Sequence, residues 1–149
     1  ADGVRVVFVL TPVHPIDRIE LRGTLGLDRR ALERAALEPS GGQVKGVRPD
    51  AARASVLRLL VEEGFARPAA EVAIEQSHEV HRATLVLSIE AGPRQRIGQV
   101  LVTGDAPVDR ADVTTRAGLL PGAPYRRRAT EDALRAVSER LRARQYYEA

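Results

Sequence analysis

Cysteine, methionine and tryptophan are all absent from this sequence of 149 residues, and lysine occurs only once, at Lys45. The lack of cysteine excludes disulfides and thiolate metal sites. The lack of methionine leads us to expect a segment of a longer or processed chain. There is no signal peptide and no long apolar run, so nothing in the sequence predicts a membrane-spanning helix.

Arginine supplies almost all of the positive charge, and the formal net charge is +3. One interpretation of this charge is a surface for nucleic acid or anionic lipid. The other is arginine spread over solvated helix faces, which the nearly equal numbers of acidic (20) and basic (23) residues favour. Only 3% of residues are aromatic, which argues against base stacking. We therefore predict no nucleic-acid partner, and keep a small α+β nucleic-acid-binding module as an alternative.

An internal repeat organises the chain. The segment Ile16–Gly23 follows a Thr-Pro pair, and the similar segment Ile97–Gly104 follows a Gly-Pro pair, at a shift of 81 residues (97 − 16). The same shift places Pro12 on Pro93 and Leu21 on Val102. Repeats of this kind indicate successive structural units, so we predict two units of about 80 residues.

The first copy predicts an α+β unit with the order β-α-α-β-β. Its predicted elements are the strand Ile16–Arg22, a short helix Arg29–Leu37 capped by Asp28, a longer helix from Pro49 to about Glu63, and the strands Val72–Ser77 and Ala83–Glu90. Helical spacing predicts that Val56, Leu57, Leu60 and Val61 face the core. Gly64 is the expected left-handed C-cap. We expect both helices on one face of a small three-stranded mixed sheet.

The second copy predicts the strand Ile97–Thr103, a helix capped by Asp109, and a helix capped by Thr130 whose core face holds Ala133, Val137 and Leu141. These predictions divide the chain into residues 1–11 (the last strand of a preceding unit, or a donor strand), 12–92 (a complete unit) and 93–149 (a unit lacking its last two strands). The run Val4–Leu10 is then equivalent to a closing strand. We expect it to pair with Ile97–Thr103 in the same molecule or, by strand exchange between copies, in a neighbour.

This tandem pattern resembles the POTRA (polypeptide-transport-associated) domain. In the first copy the resemblance rests on Ile16, Ile19, Leu21, Gly23, Val56, Leu60, Gly64, Phe65, Leu85, Leu87 and Ile89. In the second copy it rests on Ile97, Val100, Val102, Gly104, Gly122, Tyr125, Val137, Leu141 and Tyr146.

The resemblance implies the soluble periplasmic part of a BamA-like outer-membrane assembly or translocation protein, with its own C-terminal membrane β-barrel. It implies a non-enzymatic scaffold that binds unfolded outer-membrane protein chains, assembly-complex lipoproteins, or both. A POTRA-type interaction domain of a cell-division protein is a further alternative.

A strand edge is the predicted binding site, because a three-stranded sheet has two edges and an edge strand can accept an added strand. The predicted edge residues are Val72, Ala73, Ile74, Glu75, Gln76 and Ser77. Glu75 is the only charge inside this strand, and we interpret it as the guard of the edge.

A second predicted site is the joint between the units, made of Gly92, Pro93, Arg94 and Arg96. The linker is too short for the units to tumble freely. Proline fixes part of its geometry, and the two arginines are expected to touch both units. We therefore predict a restrained angle between the units.

The sequence predicts no catalytic residue, no metal site and no cofactor. His78 and His81 flank Glu79 at a hairpin tip, where polar residues need no metal to explain them. Glu62 and Glu63 are interpreted as solvated helix charges rather than an acid/base pair. The basic run Arg126–Arg128 is interpreted either as a solvated loop or as a contact with lipid head groups or a neighbouring acidic patch.

Overall fold

The computed structural model describes residues 7, 15–76, 82–101, 103, 114–115 and 118–143. Its elements, in chain order, are β1 (Ile16–Thr24), α1 (Arg29–Leu37), a 3-10 turn (Glu38–Ser40), α2 (Pro49–Glu62), β2 (Ala69–Gln76), β3 (Ala83–Glu90) and α3 (Arg127–Ala143). The three strands form one mixed sheet in the order β1-β3-β2, with β1 parallel and β2 antiparallel to β3. The predicted α+β class and mixed sheet are confirmed.

The helix ends follow the capping chemistry that the sequence predicts. The Asp28 carboxylate accepts hydrogen bonds from the amides of Arg30 (3.0 Å) and Ala31 (3.3 Å) at the start of α1. At the end of α2, Gly64 has φ +90°. Its amide donates to the Val61 carbonyl (3.1 Å), and the Phe65 amide donates to the Leu60 carbonyl (3.0 Å). This pair of bonds is a Schellman motif, which satisfies carbonyls that the helix end would leave unpaired.

The core lies between one face of the sheet and the helices α1 and α2. The fully buried side chains come from the central strand (Leu85, Leu87, Ile89) and from the two helices (Leu32, Ala36, Ala52, Val56, Leu60). Burying a leucine side chain stabilises a fold by about 2 kcal/mol relative to leaving it exposed. On α2 the buried residues Ala52, Val56 and Leu60 follow one another at intervals of four and so form one row along the helix.

One core prediction for α2 is wrong. Val61 is 44% exposed, although Val56 and Leu60 are fully buried and Leu57 packs against the core. Val61 follows Leu60 by one residue and so sits about 100° around the helix from it, outside the face of α2 that packs against α1 and β2.

The second copy differs from its prediction. Residues 97–101 and 103 form no strand, so the predicted strand Ile97–Thr103 is wrong for the part of the chain that the structure describes. The Ile97 amide instead donates to the Ala123 carbonyl (2.9 Å), and no ladder continues beyond it among the described residues. A strand is stable only where a neighbouring strand pairs with its backbone groups. Of the run Val4–Leu10 only Val7 is described, exposed and outside any strand, so the predicted pairing of this run lies outside the described residues.

The last helix forms where the repeat predicts it, but its start and its burial differ. α3 begins at Arg127, so Thr130 is not its N-cap; the Thr130 hydroxyl lies inside the helix and donates to the Arg126 carbonyl (2.9 Å). None of the α3 side chains is fully buried. Ala133, Val137 and Leu141 are half-buried, whereas their first-copy equivalents are fully buried, because no sheet covers this side of α3 among the described residues.

Candidate functional site

The predicted edge strand lies at an edge of the described sheet. All eight residues of β2 pair with β3 on one side, and no strand in the described ranges pairs with β2 on the other. β2 contains Val72, Ala73, Ile74, Glu75 and Gln76, whereas Ser77 lies outside the described residues. β2 also begins at Ala69, three residues earlier than predicted. The open edge is therefore longer than expected and includes a second carboxylate, Glu71.

The two faces of β2 differ in polarity. Ala70, Val72 and Ile74 lie on the helix side, opposite the core residues of β3. Their burial decreases along the strand: Ala70 is buried, Val72 is half-buried and Ile74 is 53% exposed. The far end of the edge therefore offers accessible apolar surface beside free backbone groups, which suits an added strand with apolar residues on that face.

An ion pair crosses the face of the sheet opposite the helices. The Arg22 guanidinium on β1 donates to both carboxylate oxygens of Glu75 on β2, at 2.7 and 3.1 Å, and also to Glu20 at 2.8 Å. Because β3 lies between β1 and β2, the bridge passes over the central strand. Val86 on that strand is only 2% exposed although it lies outside the helix-side core, and its cross-strand neighbours are Glu20 and Ala73.

These contacts shift the ionisation of the three groups. The hydrogen bond from Arg22 lowers the pKa of Glu20. The hydrogen bonds to Glu75 and then to Glu20 raise the pKa of Arg22. All three side chains are exposed, so the bridge positions charge more than it stabilises the fold.

The predicted guard of the edge thus points inward. Glu75 bends across the sheet toward Arg22 instead of standing alone at the outer side of β2. The sequence places Arg22 and Glu75 each on the polar face of its strand. Their contact could not be found from that pattern, because it depends on which strand lies between them.

The joint residues pair with both neighbouring segments of the chain. Phe65 and Arg94 form an antiparallel bridge, with the Gln95 amide donating to the Gly64 carbonyl at 2.8 Å. On the other side, the Tyr125 amide donates to the Gln95 carbonyl at 2.9 Å. The segment following Gly92-Pro93 is therefore held between the end of α2 and the approach to α3.

The two predicted joint arginines reach opposite sides. The Arg94 guanidinium lies over the Phe65 ring, 5.4 Å from its centroid, and pairs with the Glu63 carboxylate at 3.0 Å. Arg96 donates to the Gly122 carbonyl at 2.7 Å. Gly92 has φ +72°, and a Cβ there would come within 3.1 Å of the Arg67 carbonyl oxygen, so this turn favours glycine.

The basic run Arg126–Arg128, which includes the first two residues of α3, contributes to the same joint. Arg126 pairs with Glu63 at 3.1 Å, and Arg127 approaches Glu62 at 3.6 Å. Arg126 and Arg127 therefore contact a neighbouring acidic patch, which is one of the two interpretations that the sequence left open, and do not belong to a solvated loop. Glu62 and Glu63 are therefore partners of arginines. The sequence did contain a signal for this contact, namely acidic residues at the end of α2 and basic residues around the start of α3. Because the two segments lie more than 60 residues apart, the sequence did not show that they meet.

The described ranges contain no group of three side chains that could hold a metal ion, and His78, Glu79 and His81 lie outside those ranges. None of the helices in the described part of the chain combines the length and the apolar character that a bilayer span requires.

Comparison with known proteins gives similarities to solved structures but not to any family model. No family model and no curated protein matches this sequence. Among solved structures, the chain is similar to the crystal structure of Haemophilus influenzae BamA POTRA3-5, at 14% identity and a TM-score of 0.49. The similarity covers 85% of this chain and 50% of that one, so the chain spans about half its length. The strand order and helix placement described above, rather than this likeness, define the fold.

Proposed function

We propose that this chain is a non-enzymatic periplasmic binding scaffold that accepts extended protein segments at the open edge of β2. The observation that carries the proposal is the strand order β1-β3-β2, which leaves one side of an eight-residue strand unpaired among the described residues. Unpaired strand edges are templates for β-augmentation, in which main-chain hydrogen bonds supply affinity and alternate side chains supply specificity.

The nature of the edge supports an extended partner. β2 contains no proline and no lysine, and its one predicted guard, Glu75, is drawn across the sheet by Arg22. The usual protections of a free edge are therefore weak. The partners that we propose are unfolded outer-membrane protein chains and assembly lipoproteins, in line with the POTRA-like pattern of the sequence. In the parent protein the scaffold would precede a membrane β-barrel.

A proline substitution tests the edge. Ala73→Pro removes one backbone donor of β2, and Ala73→Ser is the matched control that keeps it. The probe is an uncharged, end-blocked eight-residue peptide in which valine alternates with threonine, titrated by calorimetry. We expect Ala73→Pro to weaken peptide binding about tenfold, since a lost hydrogen bond and the steric block of the ring together exceed 1.4 kcal/mol.

The fold of the variant decides how this result is read. Amides of successive strand residues point alternately toward β3 and away from it. If circular dichroism shows that Ala73→Pro disrupts the sheet, its amide belongs to the ladder, and Ile74→Pro becomes the edge variant. Unchanged binding by whichever proline variant stays folded would contradict the proposal. Competition by an unfolded outer-membrane protein for the same peptide would then identify the partner class.

A further inference from the structure

The open edge of β2 carries two carboxylates with different surroundings. Glu71 and Glu75 both lie on the polar face of the sheet, opposite Ser88 and Thr84 of β3. Glu75 is held by Arg22 through two hydrogen bonds. Glu71 is exposed and has no ion-pair or hydrogen-bond partner among the described residues.

The position of Arg22 makes this difference informative. Arg22 and Glu71 stand opposite the same residue of the central strand, Ser88, on its two sides. The guanidinium nevertheless extends diagonally over Val86 to Glu75, two rows of the sheet farther on, and is shared there with Glu20. Glu75 therefore has its charge compensated within the sheet, whereas no charge among the described residues compensates Glu71, the other carboxylate of the edge.

An added strand would meet these groups at close range. Side chains directly opposite each other on neighbouring antiparallel strands have Cβ atoms about 5 Å apart, where opposite charges attract and like charges repel. A residue opposite Glu71 would face an unpaired carboxylate. A residue on the other face would meet Val72 and the 53% exposed side chain of Ile74.

We propose that the β2 edge selects extended segments with a lysine or arginine opposite Glu71 and apolar residues on the alternate face, because Arg22 neutralises Glu75 and leaves Glu71 unpaired. The inference rests on the proposed edge-binding function and names the chemistry of its partner. Arg22, on the opposite edge strand, is then a positioning residue that sets the charge preference of a site it does not line.

Two peptides test the preference. Both are end-blocked octapeptides in which valine alternates with threonine, and one central threonine is replaced by lysine in the first and by glutamate in the second. With the 149-residue chain, we expect the lysine peptide to bind about fivefold more tightly, since one cross-strand attraction is exchanged for one repulsion. The ratio should fall at about 0.5 M salt, because both charges are exposed.

Three single substitutions at exposed positions show which carboxylate causes the charge preference. Glu71→Gln should bring the ratio close to one, whereas Glu75→Gln should leave it nearly unchanged. Arg22→Gln should raise the ratio about threefold further, because it frees Glu75 as a second unpaired carboxylate. Circular dichroism checks that each variant keeps its fold.

The outcomes separate this inference from the function on which it rests. Equal binding of the two peptides by the wild-type chain would overturn the charge preference while leaving edge binding intact. Loss of the preference in Glu75→Gln but not in Glu71→Gln would also overturn it. Failure of both charged peptides and the uncharged peptide to bind would remove the edge function, and the preference with it.

Discussion

Replacing Gly64 with alanine should loosen the joint as well as strain the helix end. Gly64 has φ +90°, and a Cβ at this position would overlap the carbonyl oxygen of Tyr125. Gly46 offers a matched control in the same chain. Its φ is +88°, and a Cβ there would have nothing within 4 Å. The two substitutions therefore share the backbone strain and differ in the contact with Tyr125.

The expected magnitudes follow from these two terms. Left-handed backbone costs an alanine about 1 kcal/mol once the stabilisation from the lower conformational entropy of its unfolded chain is subtracted, and this is the whole expected effect of Gly46→Ala. In Gly64→Ala the Tyr125 carbonyl must also move away. That movement breaks the hydrogen bonds from Tyr125 to Gln95 (2.9 Å) and from Gln95 to Gly64 (2.8 Å). At about 1 kcal/mol for each bond, the total loss is about 3 kcal/mol.

Urea unfolding followed by circular dichroism measures the two losses, and amide hydrogen exchange locates them. We expect the Tyr125 and Gln95 amides to lose protection in Gly64→Ala and to keep it in Gly46→Ala. Equal destabilisation by the two substitutions, with both amides still protected, would refute the argument that Gly64 is required for close approach of the Tyr125 carbonyl.

Two further predictions concern the joint and the bridge across the sheet. Replacing Gly92-Pro93 by a flexible serine–glycine insert should broaden the small-angle scattering envelope, because the pairing of Gln95 with Gly64 fixes the segment that follows. An unchanged envelope would mean that other contacts hold the segments on either side of the joint. The pKa of Glu20 is lowered by Arg22, so its contribution to stability is present above its usual value near 4.5 and is lost as pH falls through the lowered value. Glu20→Gln should therefore lose less stability than the wild type between about pH 6 and about pH 3 in urea titrations, and an equal loss would contradict this linkage.

Most helices and strands of the first copy could be predicted from the sequence because their signals are local. The bounds of α1 and β3 agree with the prediction because an aspartate cap and a strictly alternating strand are signals contained within a few residues. Gly64 was equally readable as a helix cap. Its second role, close packing against Tyr125, was not, because that contact joins segments about 60 residues apart.

The errors share a physical cause. Ile97–Thr103 has the composition of a strand, and its described residues remain outside any sheet because no strand in the described ranges pairs with them. Val61 has the spacing of a core residue and is exposed because the covered face of α2 is narrower than its apolar stripe. In both cases the local sequence has the predicted propensity, and the tertiary context overrides it.

The α+β class, the helix caps at Asp28 and Gly64, the core face of β3 and a strand suited to a sheet edge could all be predicted from the order of the amino acids. The folded chain was needed to show that β3 lies between β1 and β2, that Arg22 reaches over it to Glu75, and that Glu71 has no partner among the described residues. Periodicity and capping depend on neighbours within one or two turns of chain. The pairing of charges depends on strand order, which is set by how the helices and strands pack to bury one shared core.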